Sequence, residues 1–245
     1  RDGVDITPQD IFAFVARTKI LPKTSAPSIG EYEEFFEEQL KGYDELIHFN
    51  ISGQSSGSHN MALQAAKNFK GKVRVIDSKA LSSGQGLLVI KAADLRDEGK
   101  TGAEIEKEIC QIREHVNTSF IPDSLDYLHK GGRVSALTLY GANILRIHPK
   151  IAMDNGKLVS AGKYHGRMDR CIRQYIEDLK KQYPSYDKSR CFITHSSADE
   201  ALVELAKEQV KELFDFEEVI ETVAGSIITS HCGRNTLGVL FIYNN

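Results

Sequence analysis

The chain has 245 residues, with 31 lysines and arginines against 34 aspartates and glutamates, and a formal net charge of −3. Hydrophobic residues make up 41% and charged residues 27%, which is the balance of an ordinary globular protein. No apolar run reaches the roughly 18 residues that a transmembrane segment needs, and no basic patch indicates nucleic-acid binding. Composition therefore predicts a compact soluble protein with no transmembrane segment and no nucleic-acid partner.

The cysteine pattern predicts neither disulfides nor a metal site. The four cysteines are far apart, none forms a CxxC pair, and none lies near a histidine at zinc-ligand spacing. We therefore expect reduced thiols in a cytoplasmic protein. The chain begins at Arg1 without a methionine, so we also expect some N-terminal sequence to precede it, with any targeting signal lying there.

Helix starts are marked along the chain by capping patterns. Thr7 followed by Pro8 predicts an N-cap and the first residue of a helix. A Ser or Thr followed three residues later by Glu recurs at three later points, each ahead of apolar residues at helical spacing. These three predicted starts are Ser28 with Glu31, Thr101 with Glu104, and Ser197 with Glu200.

Short apolar runs of strand length separate the helices. They cover residues 46–51, 73–76, 119–121, 191–194 and 237–243. The first two runs are each followed by a turn and a helical pattern, which is the signature of a parallel β-α-β unit. Asn155 and Gly156 separate two further runs, and Asn-Gly between strand-like runs predicts a hairpin.

These elements predict an α/β protein made of two domains with a cleft between them. The first domain, residues 1–80, is expected to be parallel α/β and can be discontinuous. The second domain, residues 81–245, is expected to be a mixed, partly antiparallel α+β domain.

A serine- and glycine-rich loop, residues 52–58, follows the first predicted strand and precedes a helix. Ligands of open α/β sheets bind beyond the carboxyl ends of the strands, and glycines let the backbone approach a ligand closely. Free N–H groups at a helix start favour an anion. This serine loop therefore indicates a carboxylate or phosphate site, with an ordinary turn and a serine N-cap as the alternative.

The serine loop also matches the GxSxG pattern of serine hydrolases. In that reading Ser55 or Ser56 is the nucleophile and His231 the base, with Asp77 or Asp199 as the acid. Only about fifty residues and one clear strand precede the loop, whereas the hydrolase fold places several strands there. The hydrolase therefore remains an alternative rather than the leading interpretation.

Thr24 and Ser25 lie in a loop held by Pro27, just before a capped helix, and could reach the same cleft. Lys163, Arg167 and Arg170 recur at near-helical spacing, which is typical of a solvated helix face. The sequence contains no HExxH, Walker A or GxGxxG motif, so it predicts no metal and no nucleotide cofactor.

Taken together, these segments resemble the DegV family of bacterial lipid-binding proteins. The resemblance covers essentially the whole chain, although the opening strand of the family, with its Asp-Ser-Thr signature, is missing. The matching segments, in order, are residues 2–8, 24–28, 52–58, 75–78, 125–134 with Lys-Gly-Gly-Arg-Val at its end, 163–167, 231–233 and 236–238.

The resemblance implies a two-domain α/β protein that holds one long-chain fatty acid, such as palmitate, between its domains and has no other cofactor. It implies a non-catalytic subunit that presents the carboxyl group to a separate ATP-binding fatty acid kinase subunit, which makes the acyl phosphate. Carried over residue by residue, the carboxylate contacts of the family fall on Thr24 and Ser56. Further binding candidates are Ser25, Ser52, Gly57 and His231, and candidates for docking the kinase are Lys163, Arg167 and Arg170.

This chain departs from the family pattern at three places. The second serine of the family's loop is Gly53 here, which makes Ser52 a weaker candidate than Ser56. His165 stands where the family commonly has arginine, which puts the charge available for docking a kinase in doubt. Arg234 and Asn235 replace the commoner Pro-Gly. A lipid transport module with no kinase partner is the remaining alternative.

Overall fold

The computed structural model describes residues 2–132 and 147–244, and divides them into two compact units. The small unit comprises residues 25–116 together with the turn at 155–157. The large unit comprises residues 2–24, 117–132, 147–154 and 158–244. Arg133 and Val134 of the Lys-Gly-Gly-Arg-Val segment lie outside the described residues.

The small unit is a parallel two-stranded sheet covered by helices on both faces. Its elements are α2 (Ile29–Gln39), β1 (Leu46–Asn50), α3 (Ser58–Ala66), β2 (Val73–Asp77), α4 (Ser83–Asp97) and α5 (Gly102–Ile112). Side chains alternate between the two faces of a strand. Leu46 therefore faces the core under α2 and α3, whereas Ile47 and Phe49 face the core under α4 and α5. This layout confirms the parallel β-α-β unit predicted for the first strands.

The large unit is built on a mixed sheet of seven strands in the order β6-β5-β4-β9-β7-β8, with β3 paired to β9. Its strands are β3 (Val116–Asn117), β4 (Ser119–Ile121), β5 (Ile147–Asp154), β6 (Lys157–His165), β7 (Tyr186–Ser196), β8 (Glu218–Val223) and β9 (Thr236–Tyr243). Its helices are α1 (Pro8–Thr18), α6 (Asp126–Gly131), α7 (Met168–Gln182), α8 (Glu200–Leu213) and α9 (Ser226–Cys232).

The core of the large unit lies between this sheet and α7 with α8. Tyr175 of α7 is fully buried there, and its hydroxyl donates to the carbonyl oxygen of Ser119 at 2.8 Å. The same hydroxyl accepts the N–H of Val239 at 3.1 Å. A buried polar group needs such partners, and these bonds tie α7 to β4 and β9. The α/β fold class, with one parallel and one mixed sheet, is thereby confirmed.

Three predicted helix starts are confirmed as capping boxes. In each, the cap side chain accepts the backbone N–H of the third helical residue, and the carboxylate of that residue accepts from the cap in return. The pairs are Thr7 with Asp10, Ser28 with Glu31, and Thr101 with Glu104. The hairpin is confirmed as well, since β5 and β6 are neighbours joined through Asn155 and Gly156, both with positive φ.

Two expectations differ from the structure. Helix α8 begins at Glu200 with Asp199 as N-cap, so the predicted cap at Ser197 is wrong. Ser197 has a φ of 46° in the turn after β7, where the ring Nδ1 of His195 accepts the N–H of Ala198 at 3.1 Å. The expected domain boundary at residue 80 also differs from the observed division, because α4 and α5 pack on the same core as β2.

All four cysteines are free. Burial raises the pKa of the Cys232 thiol to about 12 and also raises that of Cys191. Among the described residues, no helix has the length and apolar character required to cross a bilayer.

Candidate functional site

The serine loop leaves β1 in the small unit and leads into α3. Its first serine, Ser52, is fully buried, and its hydroxyl donates to the carbonyl oxygen of Gly156 at 2.5 Å. The Ser55 hydroxyl donates to the same carbonyl at 3.4 Å. Both hydroxyls therefore hold the loop against the hairpin turn. Asp77, at the end of β2, accepts the N–H of Gly53 at 3.2 Å and helps to fix the loop.

Ser56 is the loop serine whose hydroxyl is placed differently. Its Oγ lies 2.8 Å from the Oγ of Ser58 and accepts the N–H of Ser58 at 3.2 Å. When Ser58 donates in the hydroxyl pair, the Ser56 proton is available to an incoming acceptor. Gly57, the exposed N-cap of α3, lies directly beside it. Half-buried at a helix start, Ser56 has the setting of an anion-binding hydroxyl.

In the large unit, Thr24 and His231 form a hydrogen bond between Oγ1 and Nε2 at 3.0 Å. They are 207 residues apart in the sequence. His231 sits in the last turn of α9, whose first turn is capped by Asp2 through a 2.8 Å bond from the N–H of Ser226. The Asp2 carboxylate thus fixes the helix that carries His231. Ser25 is exposed and is the first residue of the small unit.

The tautomer of His231 decides what Thr24 can do. If Nε2 accepts from the Thr24 hydroxyl, the only proton of that hydroxyl is used. If Nε2–H donates, the threonine oxygen accepts and its proton is left for another acceptor such as a carboxylate. The Thr24 hydroxyl is therefore a directed donor to a further acceptor in the tautomer whose Nε2–H donates to it.

The alternative interpretation, a hydrolase that uses Ser55 or Ser56 with His231, stays a prediction, because the serine loop and His231 belong to different units. Within the small unit, Ser55 is bonded to Gly156 and Ser56 to Ser58, and within the large unit His231 Nε2 is bonded to Thr24. These bonds give each unit a hydroxyl group suited to binding an acceptor.

The basic candidates lie at the end of β6 and the start of α7. Lys163 and Arg170 are exposed, and the side chain of Arg167 is 83% exposed with a 3.2 Å ion pair to Asp169. Arg167 also lines an open cleft of about 570 Å³ in the large unit, beside the first turn of α8. These cations are available at the surface of the large unit.

A feature that the sequence did not single out is His48, in the middle of β1. Its ring packs edge-on against the rings of Phe36 and Tyr32, with distances between ring centres of 5.1 Å and 5.5 Å. Burial, together with the smaller effect of the charge of nearby His59, lowers the pKa of His48 to about 4. A polar residue between apolar ones in a strand gave no distinguishing signal in the sequence.

We expect the small unit to lose stability as the pH falls from about 6.5 to about 4. The unfolded chain, with an ordinary histidine pKa near 6.5, takes up a proton in this range that folded His48 does not. The stabilisation is complete above pH 6.5 and falls by up to about 1.4 kcal/mol per pH unit below it. Hydrogen exchange of the β1 amides at several pH values measures this slope.

A matched pair of variants isolates the contribution of His48. His48→Phe should make the stability of the small unit less dependent on pH, because it removes the titrating ring and keeps the aromatic packing. His165→Phe, at an exposed position, should leave it unchanged. An equal slope in the wild type and in His48→Phe would assign the pH dependence to other groups.

Comparison with known proteins places this architecture in a class of two-unit α/β proteins. A structure titled "Fatty Acid Binding of a DegV family Protein" from Thermus thermophilus matches with a TM-score of 0.91 at 28% identity, covering 100% of this chain and 87% of the other. A DegV lipid-binding protein of Thermotoga maritima matches with a TM-score of 0.83 at 27% identity, covering 96% and 83%.

The sequence agrees with the structural match. A DegV domain-containing protein of Caldanaerobacter subterraneus is 30% identical over 242 residues, which is 98% of this chain and 85% of that protein. Residues 1–244 match the family profile described as "Uncharacterised protein, DegV family". The chain belongs to the DegV family.

Proposed function

We propose that this protein binds one long-chain fatty acid, such as palmitate, and holds its carboxylate with the hydroxyls of Thr24 and Ser56. The observation that carries the proposal is the Thr24–His231 hydrogen bond, which leaves the Thr24 proton for a carboxylate when Nε2–H of His231 donates. Membership of a family whose members include fatty-acid binders supports it. Ser52 is assigned the supporting role of anchoring the serine loop, because its hydroxyl is buried against Gly156.

The acyl chain and the carboxylate contribute different amounts to the free energy of binding. Burying a chain of roughly sixteen carbons at about 0.8 kcal/mol per CH₂ contributes on the order of 10 kcal/mol. Each hydrogen bond to the charged carboxylate contributes about 1.5–3 kcal/mol. The acyl chain therefore sets the affinity, and the hydroxyls set the orientation of the carboxyl group.

Mass spectrometry of the purified protein tests the proposal directly. We expect native spectra to contain one long-chain fatty acid per chain, released on denaturation and identified after organic extraction. A protein that is purified empty and takes up no added palmitate would contradict the proposal.

We expect Ser56→Ala to weaken palmitate binding roughly tenfold to a hundredfold, because it removes one hydrogen bond to a charged group. Isothermal titration with palmitate measures the change. Ser55→Ala is the matched control and should change the affinity less, since the Ser55 hydroxyl contacts the Gly156 carbonyl at 3.4 Å and the loop keeps its bond from Ser52. Equal affinities for Ser56→Ala and the wild type would remove Ser56 from the site.

We further propose that the bound acid is presented to a separate ATP-binding kinase subunit, which phosphorylates its carboxyl group. The resemblance to the family suggests this role, and the exposed Lys163, Arg167 and Arg170 offer a basic surface for docking. Replacing all three by Glu should lower acyl phosphate formation with a cognate kinase and ATP, and leave palmitate affinity unchanged. Undiminished phosphorylation by this variant would place docking elsewhere.

A further inference from the structure

Where helices α6 and α9 of the large unit pack together, a glycine in α6 and a glycine at the end of α9 each face a ring of the other helix. A Cβ atom on Gly131 of α6 would lie 2.8 Å from Nδ1 of His231. A Cβ atom on Gly233, just after α9, would lie 2.8 Å from Cδ2 of Tyr127 in α6. Real Cβ contacts are essentially never this short, so a side chain at either position would require the facing ring or its helix to shift.

Gly131 and Thr24 meet the imidazole of His231 at different nitrogens. Gly131 lies against Nδ1, and the Thr24 hydroxyl is bonded to Nε2 at 3.0 Å. A Cβ at position 131 would push the ring at Nδ1 away from α6, and the bond from Nε2 to Thr24 would shift with the ring. The lack of a side chain at Gly131 therefore leaves room for the ring position in which Nε2 and Oγ1 are 3.0 Å apart.

The bond between His231 Nε2 and Thr24 Oγ1 matters because it decides whether the Thr24 hydroxyl proton is available to the ligand. Only when Nε2–H donates to Thr24 can the threonine hydroxyl donate to a carboxylate. If a methyl group at position 131 displaces the ring, the 3.0 Å bond between Nε2 and Oγ1 is lost or weakened, since hydrogen bonds weaken steeply with distance and angle. Thr24 would then rotate freely, and its hydroxyl would no longer point in one direction.

We propose that Gly131 is a positioning residue for the carboxylate site, which holds the His231 ring in place and thereby directs the Thr24 hydroxyl to the ligand. This inference rests on the proposed fatty-acid binding. It gives a role to the first glycine of the Lys-Gly-Gly-Arg segment, which the sequence marks as a motif but which no ligand contact explains.

A double-mutant cycle tests the proposal on the whole chain, with palmitate as the probe and isothermal titration as the readout. Gly131→Ala should weaken binding roughly tenfold to a hundredfold, the loss of one hydrogen bond to a charged group. In a His231→Ala background, where no ring is left to displace, the same change should alter affinity by at most about twofold. Equal losses in both backgrounds, or no loss in either, would overturn the proposal.

Gly86→Ala is the control for replacing a helical glycine, because a Cβ at Gly86 of α4 meets nothing within 4 Å. We expect it to bind palmitate like the wild type. If Gly131→Ala does not fold, the cycle is measured on stability. The double variant should then fold, because the colliding ring is gone, and a double variant that stays unfolded counts against the proposal.

A second readout needs no ligand and separates this proposal from the proposed function. The ¹⁵N chemical shifts of the His231 ring report which nitrogen carries the proton. We expect them to differ between the wild type and Gly131→Ala, and to be the same in Gly86→Ala. A wild-type chain that binds no palmitate would contradict the function alone, whereas unchanged ring shifts in Gly131→Ala would overturn the positioning role.

Discussion

Decanoate is expected to bind this protein several thousandfold more weakly than palmitate. The two acids have the same carboxylate, so the contacts proposed for Thr24 and Ser56 are the same in both. They differ by six methylene groups, each of which contributes about 0.8 kcal/mol when buried, or about 5 kcal/mol in total. Since about 1.4 kcal/mol changes affinity tenfold, this difference corresponds to roughly three thousandfold. Competition between each acid and a fluorescent long-chain acid measures the ratio.

The methyl ester of palmitic acid is the matching control for the other end of the ligand. The ester keeps the chain and removes the charge. It should therefore lose only the binding free energy contributed by the hydroxyl contacts, about 1.5–3 kcal/mol for each. If decanoate bound as well as palmitate, the chain would not be buried, and the carboxyl group alone would account for recognition.

Phe36→Ala is expected to destabilise the small unit by about 3–5 kcal/mol, the range for removing a buried phenylalanine side chain. Phe36 is fully buried in the core under α2 and α3, and its ring lies 5.8 Å from that of Phe69 as well as against His48. Hydrogen exchange of the β1 amides reports the loss for this unit by itself. In the same variant the pKa of His48 should rise from about 4 towards its ordinary value, because the ring loses its apolar cover.

Phe35 provides the comparison, since it is the preceding residue of the same helix and is 45% exposed. Phe35→Ala should cost much less stability than Phe36→Ala. Similar losses for both would mean that α2 is held to the sheet by contacts other than the buried aromatic cluster.

The features predicted most accurately from the sequence are helix starts and turns, which depend on residues close together in the chain. The helix starts at Thr7, Ser28 and Thr101 and the hairpin turn at Asn155 are local arrangements, so their residues are neighbours in the sequence. Strand β8 escaped prediction because only part of each face is buried and its apolar residues are interrupted by charges. The start of α8 was misplaced because Asn235, far away in the chain, accepts the N–H of Asp199 at 3.0 Å and fixes the turn.

For the candidate site, too, the sequence indicated the local features and missed the contacts between residues that are far apart in the chain. The hydroxyls of Thr24 and the serine loop could be named from the sequence, since position after a strand and before a helix is itself the signal. Their partners could not. The Gly156 carbonyl is 104 residues from Ser52, and a single sequence carries no information on such a pairing. The contact of Gly131 with His231 is equally distant and involves a residue with no side chain.

The glycine that faces each ring at the α6–α9 contact favours an order in which these positions change during evolution. A side chain at Gly131 or Gly233 would collide with the facing ring, so we expect it to arise more readily after His231 or Tyr127, respectively, has become smaller. Each glycine and its ring are therefore epistatic, and in related sequences each pair is expected to vary together. A homologue that has lost the histidine is thus free to lose the first glycine of its Lys-Gly-Gly-Arg segment as well.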